Sequence, residues 1–282
     1  MIHSSGRFFA GVLALILLAT TQTGEAAKAR SAGQPDVRSG SVLVMDRDNN
    51  VVYSRQADVV APIASITKLM TALVVLDGKQ SLDEVLEVTA ADRKRSKGYA
   101  SRLAIGTRLT RREFMRLALM SSENRAASTL GRNYPGGDPA FVRTMNLKAK
   151  ALGMTRTRFV DPSGINAENV STANDLVKLV AAAARSPVIS DFSTTRKRTV
   201  QIGRGEVEFR NTNTLVGNKA WDITVQKTGY ISEAGQCLVM QAMIDDRAVI
   251  FVLMNSWGKY TRVADAKRLR DWMGLRQRLA KD

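Results

Sequence analysis

Ala61-Pro62-Ile63-Ala64-Ser65-Ile66-Thr67-Lys68-Leu69-Met70-Thr71-Ala72-Leu73-Val74-Val75-Leu76 is the stretch on which the rest of the chain depends. Pro62 forbids a helix upstream and pre-sets a turn. From Ser65 onward the run is apolar on nearly every side, which predicts a buried helix. Such a helix should carry few polar groups, yet this one opens with Ser65 and Lys68. A spacing of three puts both side chains on one face. Burial and a helix N-terminus both disfavour a charged lysine. A neutral lysine amine can take a proton from a serine hydroxyl, which makes a nucleophile without histidine. The helix is expected to end near Asp77-Gly78, with the glycine as its C-terminal cap.

Ser-x-x-Lys alone is weak evidence, because a chain this long holds about one copy by chance. A second copy, Ser256-Trp257-Gly258-Lys259, follows a strand-like run and has no buried helix under it. It reads as a loop coincidence.

The composition narrows the chemistry. The 282 residues, 44% hydrophobic, suffice for one large domain or two small ones. Arg7, the apolar run Phe8 to Ala19 and the small residues around Gly24-Glu25-Ala26 read as a secretory signal peptide over residues 1–26. The apolar run, about 12 residues, is short for a membrane span. Removal of this segment takes away His3, the one histidine. A Ser-His-Asp triad, a Cys-His protease and histidine-rich zinc sites are then excluded. Cys237 is the one cysteine, so no internal disulfide forms, and its apolar surroundings read as a buried position. Net charge is +16, spread over short basic clusters such as Arg93-Lys94-Arg95 and Arg196-Lys197-Arg198. A secreted basic protein seeks an anionic partner. No nucleic-acid motif is present and aromatics make up 6%, so nucleic acid is not expected. A wall polymer or membrane surface, held loosely through the basic surface, suits the expected periplasmic location.

Residues 27–37 read as a flexible leader, and 38–282 as one catalytic domain with a helical insertion over about 80–190. Ser41 to Met45 and Val51 to Tyr53 predict a hairpin. Thr110 with Glu113 forms a capping-box pattern ahead of an apolar helical run to Met120. That run breaks at Ser121-Ser122-Glu123-Asn124 and resumes at Ala126. A helix is expected from about Ala140 to Leu152, a turn at Asp161-Pro162-Ser163-Gly164, and a further helix over Asn174 to Arg185. After Pro187 the pattern predicts strands: Arg198 to Ile202, Val207 to Arg210, Trp221 to Gln226, Gln236 to Ile244 and Ala248 to Asn255. A basic helix follows from Tyr260.

Three pieces carry the chemistry: Ser65-Ile66-Thr67-Lys68, Ser122-Glu123-Asn124 and Lys227-Thr228-Gly229. This trio, in this order, is the signature of penicillin-binding proteins and class A β-lactamases. Ser65 would attack an acyl carbon while Lys68 takes its proton. Ser122 would relay a proton to the departing amine, and Asn124 would hold a substrate backbone group. Lys227 and Thr228 would meet a substrate carboxylate, and Gly229 would allow close approach to the strand edge. The backbone N–H groups of Ser65 and Tyr230 would form the oxyanion hole.

At these residues the chain resembles the low-molecular-mass penicillin-binding proteins, in particular their D-alanyl-D-alanine endopeptidase group (penicillin-binding protein 7 type). The resemblance extends to Phe159-Val160-Asp161-Pro162-Ser163-Gly164, Asn211-Thr212-Asn213 and Gln226-Lys227-Thr228-Gly229, and covers nearly all of residues 38 to 275. It implies an α/β fold of the DD-peptidase/β-lactamase-like (serine transpeptidase-like) type, with an antiparallel sheet flanked by helices and a helical region. It also implies peptidoglycan cross-linked muropeptides as substrate, β-lactam antibiotics as covalent inhibitors, and no metal or other cofactor. The carboxypeptidases of this family carry a further β-rich domain and a membrane anchor, and this chain is expected to lack both.

Three other readings compete. A D-alanyl-D-alanine carboxypeptidase would use the same residues. A class A β-lactamase needs Glu-x-x-x-Asn, and Glu168-Asn169 has the wrong spacing. A catalytically silent wall-binding protein would have little reason to keep all three motifs.

Overall fold

The computed structural model describes residues 33–96, 99 and 101–281. The expected signal peptide and residues 27–32 of the expected leader lie outside the described residues. Residues Arg38–Ala266 form one compact unit; the described residues outside it, 33–37 and 267–281, group separately. Among the described residues no helix is long and apolar enough to cross a membrane.

The chain opens with β1 (Ser39–Asp46) and β2 (Val51–Arg55), paired antiparallel as the hairpin reading expected. Asp46 closes the turn, its carboxylate accepting from the backbone of Asp48 and Asn50 at 2.9 Å each. A short β3 (Ala61–Pro62) leads into a 3-10 turn over Ala64–Ile66, and only then does α1 (Thr67–Asp77) begin. The expected helix start at Ser65 is therefore corrected: Ser65 belongs to the tighter turn ahead of the helix. From Thr67 to Val75 every residue of α1 is buried, so each large apolar side chain contributes about 1.5–3 kcal/mol of burial. The helix ends at Asp77 and Gly78 is its C-cap as expected, its N–H reaching Val74 O at 3.0 Å. Gly78 has φ −68° and stays right-handed, while Lys79 takes the left-handed conformation at φ 50°. Gly78 is small for a steric reason: a Cβ there would lie 2.9 Å from the Tyr134 ring.

Next come β4 (Val85–Glu87), α2 (Ala90–Arg95) and β5 (Arg108–Thr110), with β4 and β5 paired. α3 (Arg111–Met120) starts where Thr110 predicted, the Thr110 hydroxyl accepting from Glu113 N at 3.2 Å. The return half of that capping box is missing, because Glu113 instead pairs with Arg198 at 2.9 Å. α4 (Asn124–Arg132), α5 (Gly137–Ala151), β6 (Val170–Ser171) and α6 (Ala173–Ala184) follow. The reading of strands alone after Pro187 missed α7 (Pro187–Thr194). The local signal was present: Ser186 caps Ile189 N, and proline sits in the first turn. The strands then run β7 (Lys197–Ile202), β8 (Gly205–Arg210), β9 (Asp222–Ile231), β10 (Gly235–Ile244) and β11 (Arg247–Ser256), before α8 (Thr261–Lys281).

The main sheet is five-stranded in the order β2-β1-β11-β10-β9, with every pairing antiparallel. First and last strands thus meet in the centre, and β9 ends up at an edge. α6 lies against β1, β9, β10 and β11, α7 against β9, and α1 packs among α3, α4, α5 and α6. The 3-10 turn packs on β9 and β10. This last contact brings the Ser65 turn to the edge strand.

Candidate active site

Ala64 is a non-glycine residue at φ 47°, a costly conformation that packing must hold in place. Two glycines make the packing possible. Gly164, at φ +80°, lies so close that a Cβ would fall 1.9 Å from the Ala64 carbonyl oxygen. On the other side, a Cβ on Gly229 would meet Ile63 O at 2.9 Å and Ser65 N at 3.3 Å. The serine turn is clamped between the 161–164 loop and the end of β9.

Lys68 is fully buried one turn beyond Ser65. Its Nζ lies 2.6 Å from Ser65 Oγ, 2.8 Å from Asn124 Oδ1 and 2.6 Å from the Ser163 carbonyl oxygen. Burial pulls its pKa from 10.5 down to about 7, with Asp161 and Glu123 partly opposing the shift. A neutral amine has two N–H donors and one lone pair. The amide oxygen and the carbonyl oxygen can only accept, so they take both donors. The lone pair is then left for the one partner able to donate, the Ser65 hydroxyl. The geometry therefore orients Lys68 as a proton acceptor toward Ser65.

The 161–164 loop is ordered by Asp161. Its carboxylate accepts from Ser163 N at 2.6 Å, Gly164 N at 2.7 Å, Asn166 N at 2.9 Å and Asn169 Nδ2 at 2.7 Å. Thr71, one turn beyond Lys68, donates to Pro162 O at 2.6 Å. In the sequence this segment stands out as a turn and as part of the family resemblance, with no role attached. Its role in placing the Ser163 carbonyl on Lys68 depends on a partner 95 residues away in the chain.

Ser122 sits between α3 and α4 at φ 63°. Among the described residues it hydrogen-bonds to neither Lys68 nor Lys227, so direct contact with either lysine is not part of this arrangement. Asn124 points its oxygen at Lys68. Glu123, also missed, is nearly buried and accepts from Ser101 Oγ at 2.7 Å.

On β9, Lys227 is fully buried and donates to Thr228 O at 2.8 Å. Burial first, then the nearby charges of Lys68 and Arg262, hold its pKa well below the usual lysine value. The Thr228 hydroxyl lies 2.6 Å from that of Thr212. Gly229 O accepts from Arg262 Nη1 at 2.7 Å. Tyr230 is exposed at the strand end. Arg262 had no motif to mark it; Thr212 was visible only as part of Asn211-Thr212-Asn213.

Two other sequence features fall outside this cluster. Ser256 is buried, its hydroxyl 2.7 Å from that of Ser39, and Lys259 lies over the Tyr260 ring at 5.5 Å. Glu168 is spent in an exposed pair with Arg158 at 2.6 Å. Cys237 is buried and its thiol is pushed up to about 11. Among the described residues no group of three or more His, Cys, Asp or Glu is gathered as a metal-binding set.

An antiparallel sheet with its edge strand beside a buried Ser/Lys pair defines the class: a serine acyl-transfer enzyme of the DD-peptidase/β-lactamase-like fold. The family model for peptidase S11, described as D-alanyl-D-alanine carboxypeptidase, matches residues 28–258. The chain belongs to this family. It is 51% identical over 243 residues to the D-alanyl-D-alanine endopeptidase of Pseudomonas aeruginosa, covering 85% of this chain and 78% of that one. It is 47% identical over 267 residues to the D-alanyl-D-alanine endopeptidase of Escherichia coli, covering 93% and 86%. Among solved structures it is similar to penicillin-binding protein D2 of Listeria monocytogenes in its ampicillin-bound form. There the TM-score is 0.71 and the identity 28%, over 86% of this chain and all of that one.

Proposed function

We propose that this chain hydrolyses D-alanine-containing peptide bonds of peptidoglycan, chiefly the D-alanine-to-diaminopimelate cross-link, through an acyl-enzyme on Ser65. The observation that carries the proposal is the buried Lys68 amine, 2.6 Å from Ser65 Oγ and with a pKa near 7. Ser65 Oγ attacks the D-alanine carbonyl carbon and Lys68 takes its proton. The Ser65 and Tyr230 backbone N–H groups receive the oxyanion. The C–N bond breaks, and the leaving amine gains a proton, with Ser122 in the relay. Water then attacks the Ser65 ester, freeing the serine and a D-alanine carboxylate. Thr228, with Thr212 behind it, and Lys227 attract the carboxylate next to the scissile bond.

The preference for the cross-link is supported by the two endopeptidases that share about half of this chain's residues. A net charge of +16 suits an anionic polymer and favours loose association with the wall. The work is extracytoplasmic, in the periplasm after removal of a signal peptide. β-Lactams acylate Ser65, in line with the ampicillin-bound relative.

The test offers equal amounts of cross-linked dimer and monomeric pentapeptide to the purified protein. Dimers should disappear first. Loss of the terminal D-alanine from the monomer, with dimers intact, would make the enzyme a carboxypeptidase instead. Labelled penicillin should appear on the peptide holding Ser65 and be absent from Ser65→Ala protein.

A further inference from the structure

A cavity of about 470 Å³ opens one residue away from the Thr212–Thr228 contact, lined by Arg196, Lys197, Arg210, Asn213 and Thr214 among others. Its walls are cationic. Lys197 and Arg210 share one carboxylate, Glu208, at 3.5 and 2.7 Å. Among the described residues Arg196 has no carboxylate at all. Arg196 is nevertheless held in place: its guanidinium lies across Gly217, where a Cβ would come within 2.1 Å of Nε. Gly217 is at φ +85°, so both the bare surface and the backbone conformation there call for glycine.

One lining residue, Asn213, has an unmet donor. Asn213 is 1% exposed and its Nδ2 has no hydrogen-bond partner. The amide cannot be turned round without loss, because its Oδ1 accepts from Leu215 N at 3.1 Å. A buried amide donor without an acceptor is destabilising, and an anion reaching it would supply the acceptor. The flanking Asn211 is fully engaged, donating to Ser193 O and Thr195 O at 2.8 and 2.9 Å. Of the two asparagines, Asn213 is thus the one with a donor to spare.

We propose that this cavity is a second carboxylate subsite. It takes an acidic group of the leaving stem peptide, further along than the carboxylate attracted by Lys227 and Thr228. This rests on the cross-link reading above. A monomer cut at its terminal D-alanine has a single amino acid on the leaving side and cannot reach the cavity. A cross-linked dimer has a whole stem peptide there, with further carboxylates. The subsite would therefore favour dimers over pentapeptides.

The experiment measures calorimetric binding of a cross-linked muropeptide dimer, and of the same dimer with its carboxylates amidated, to Ser65→Ala protein. The measurement is repeated after adding Arg196→Gln and, separately, Asn213→Asp, which keeps the acceptor for Leu215 N and turns the donor into a repelling oxygen. Each addition should weaken binding of the free-acid dimer by about fivefold, and should shrink the loss caused by amidation by the same factor. Thermal melts confirm that the variants are folded. Unchanged dimer binding in both variants, an amidation loss of the same size in both, or no dimer binding by Ser65→Ala protein would overturn the subsite. Cleavage of the dimer by the unaltered enzyme is followed alongside. An enzyme that binds the dimer through Arg196 and Asn213 yet cleaves only pentapeptide would keep the subsite and lose the endopeptidase reading.

Discussion

Replacing Lys68 by Met separates the thermodynamics of burying a lysine from its chemistry. Lys68 is fully buried, and its pKa falls from 10.5 to about 7. At pH 7 the unfolded chain holds this proton and the folded chain half-releases it. At about 1.4 kcal/mol per unit, a drop of this size costs the folded state about 5 kcal/mol. Methionine keeps most of the stem and carries no charge. It also leaves Asn124 Oδ1 and the Ser163 carbonyl without their donor, at about 1–3 kcal/mol each. These terms nearly cancel at pH 7, so the absolute stability change is a poor test. Its pH dependence is a good one. The folded pKa lies below the unfolded one, so the unfolded state binds more protons between pH 7 and 10.5, and wild-type stability rises with pH across that window. The variant lacks this contribution. From pH 7 to pH 9 the wild type should gain about 2 kcal/mol relative to the variant. At roughly 2–4 °C per kcal/mol, the Tm difference should move by about 4–8 °C in favour of the wild type. Scanning calorimetry of both proteins at the two pH values reads this directly. A Tm difference that stays constant would refute the claim that burial keeps Lys68 neutral.

If Lys68 is the base of the proposed mechanism, the rate of penicillin labelling should rise about tenfold from pH 6 to pH 8, with its midpoint near 7. A flat profile would remove Lys68 as the base. Gly164→Ala should lower stability by about 2–4 kcal/mol in urea unfolding and slow labelling, because its Cβ would collide with the Ala64 carbonyl at φ +80°. Wild-type behaviour would show that the loop does not clamp the serine turn. Cys237, buried and pushed up to about 11, should resist alkylation at pH 8 in the native protein and react once unfolded. Rapid native labelling would contradict its burial.

Much of the site is legible in the sequence, for reasons tied to particular residues. Ser65 and Lys68 stand out because polar side chains at the head of an all-apolar helix need a reason. Lys227-Thr228-Gly229 stands out because a charged residue and a glycine end a β-branched run. Gly229 was expected to let a substrate approach the strand; what the fold shows is close approach of the serine turn, where a Cβ would lie 2.9 Å from Ile63 O and 3.3 Å from Ser65 N. Other parts had no local signature. Arg262 reaches Gly229 O and Cys237 O from beyond the last strand. Glu123 looked like part of a helix break, yet its burial gives it an electrostatic hold on Lys68.

Local chemistry along the chain was enough for the elements with strong signals. A run apolar on nearly every side marked the buried helix, strand-like runs between turns marked the strands, and Thr110 marked the start of α3. The same signals misplaced the start of α1 and passed over α7. A 3-10 turn and a short proline-headed helix bury too few residues to leave a periodic trace. What tertiary packing alone decided is the strand order β2-β1-β11-β10-β9. That order puts β9 at the edge, the 3-10 turn against it, and the Asp161 loop over Ala64. The near-neutral Lys68 follows from this packing, because its pKa depends on burial by segments distant in sequence, the Ser163 carbonyl 95 residues away among them. Sequence spacing can put a lysine next to a serine, but only the folded surroundings can take the water away from it.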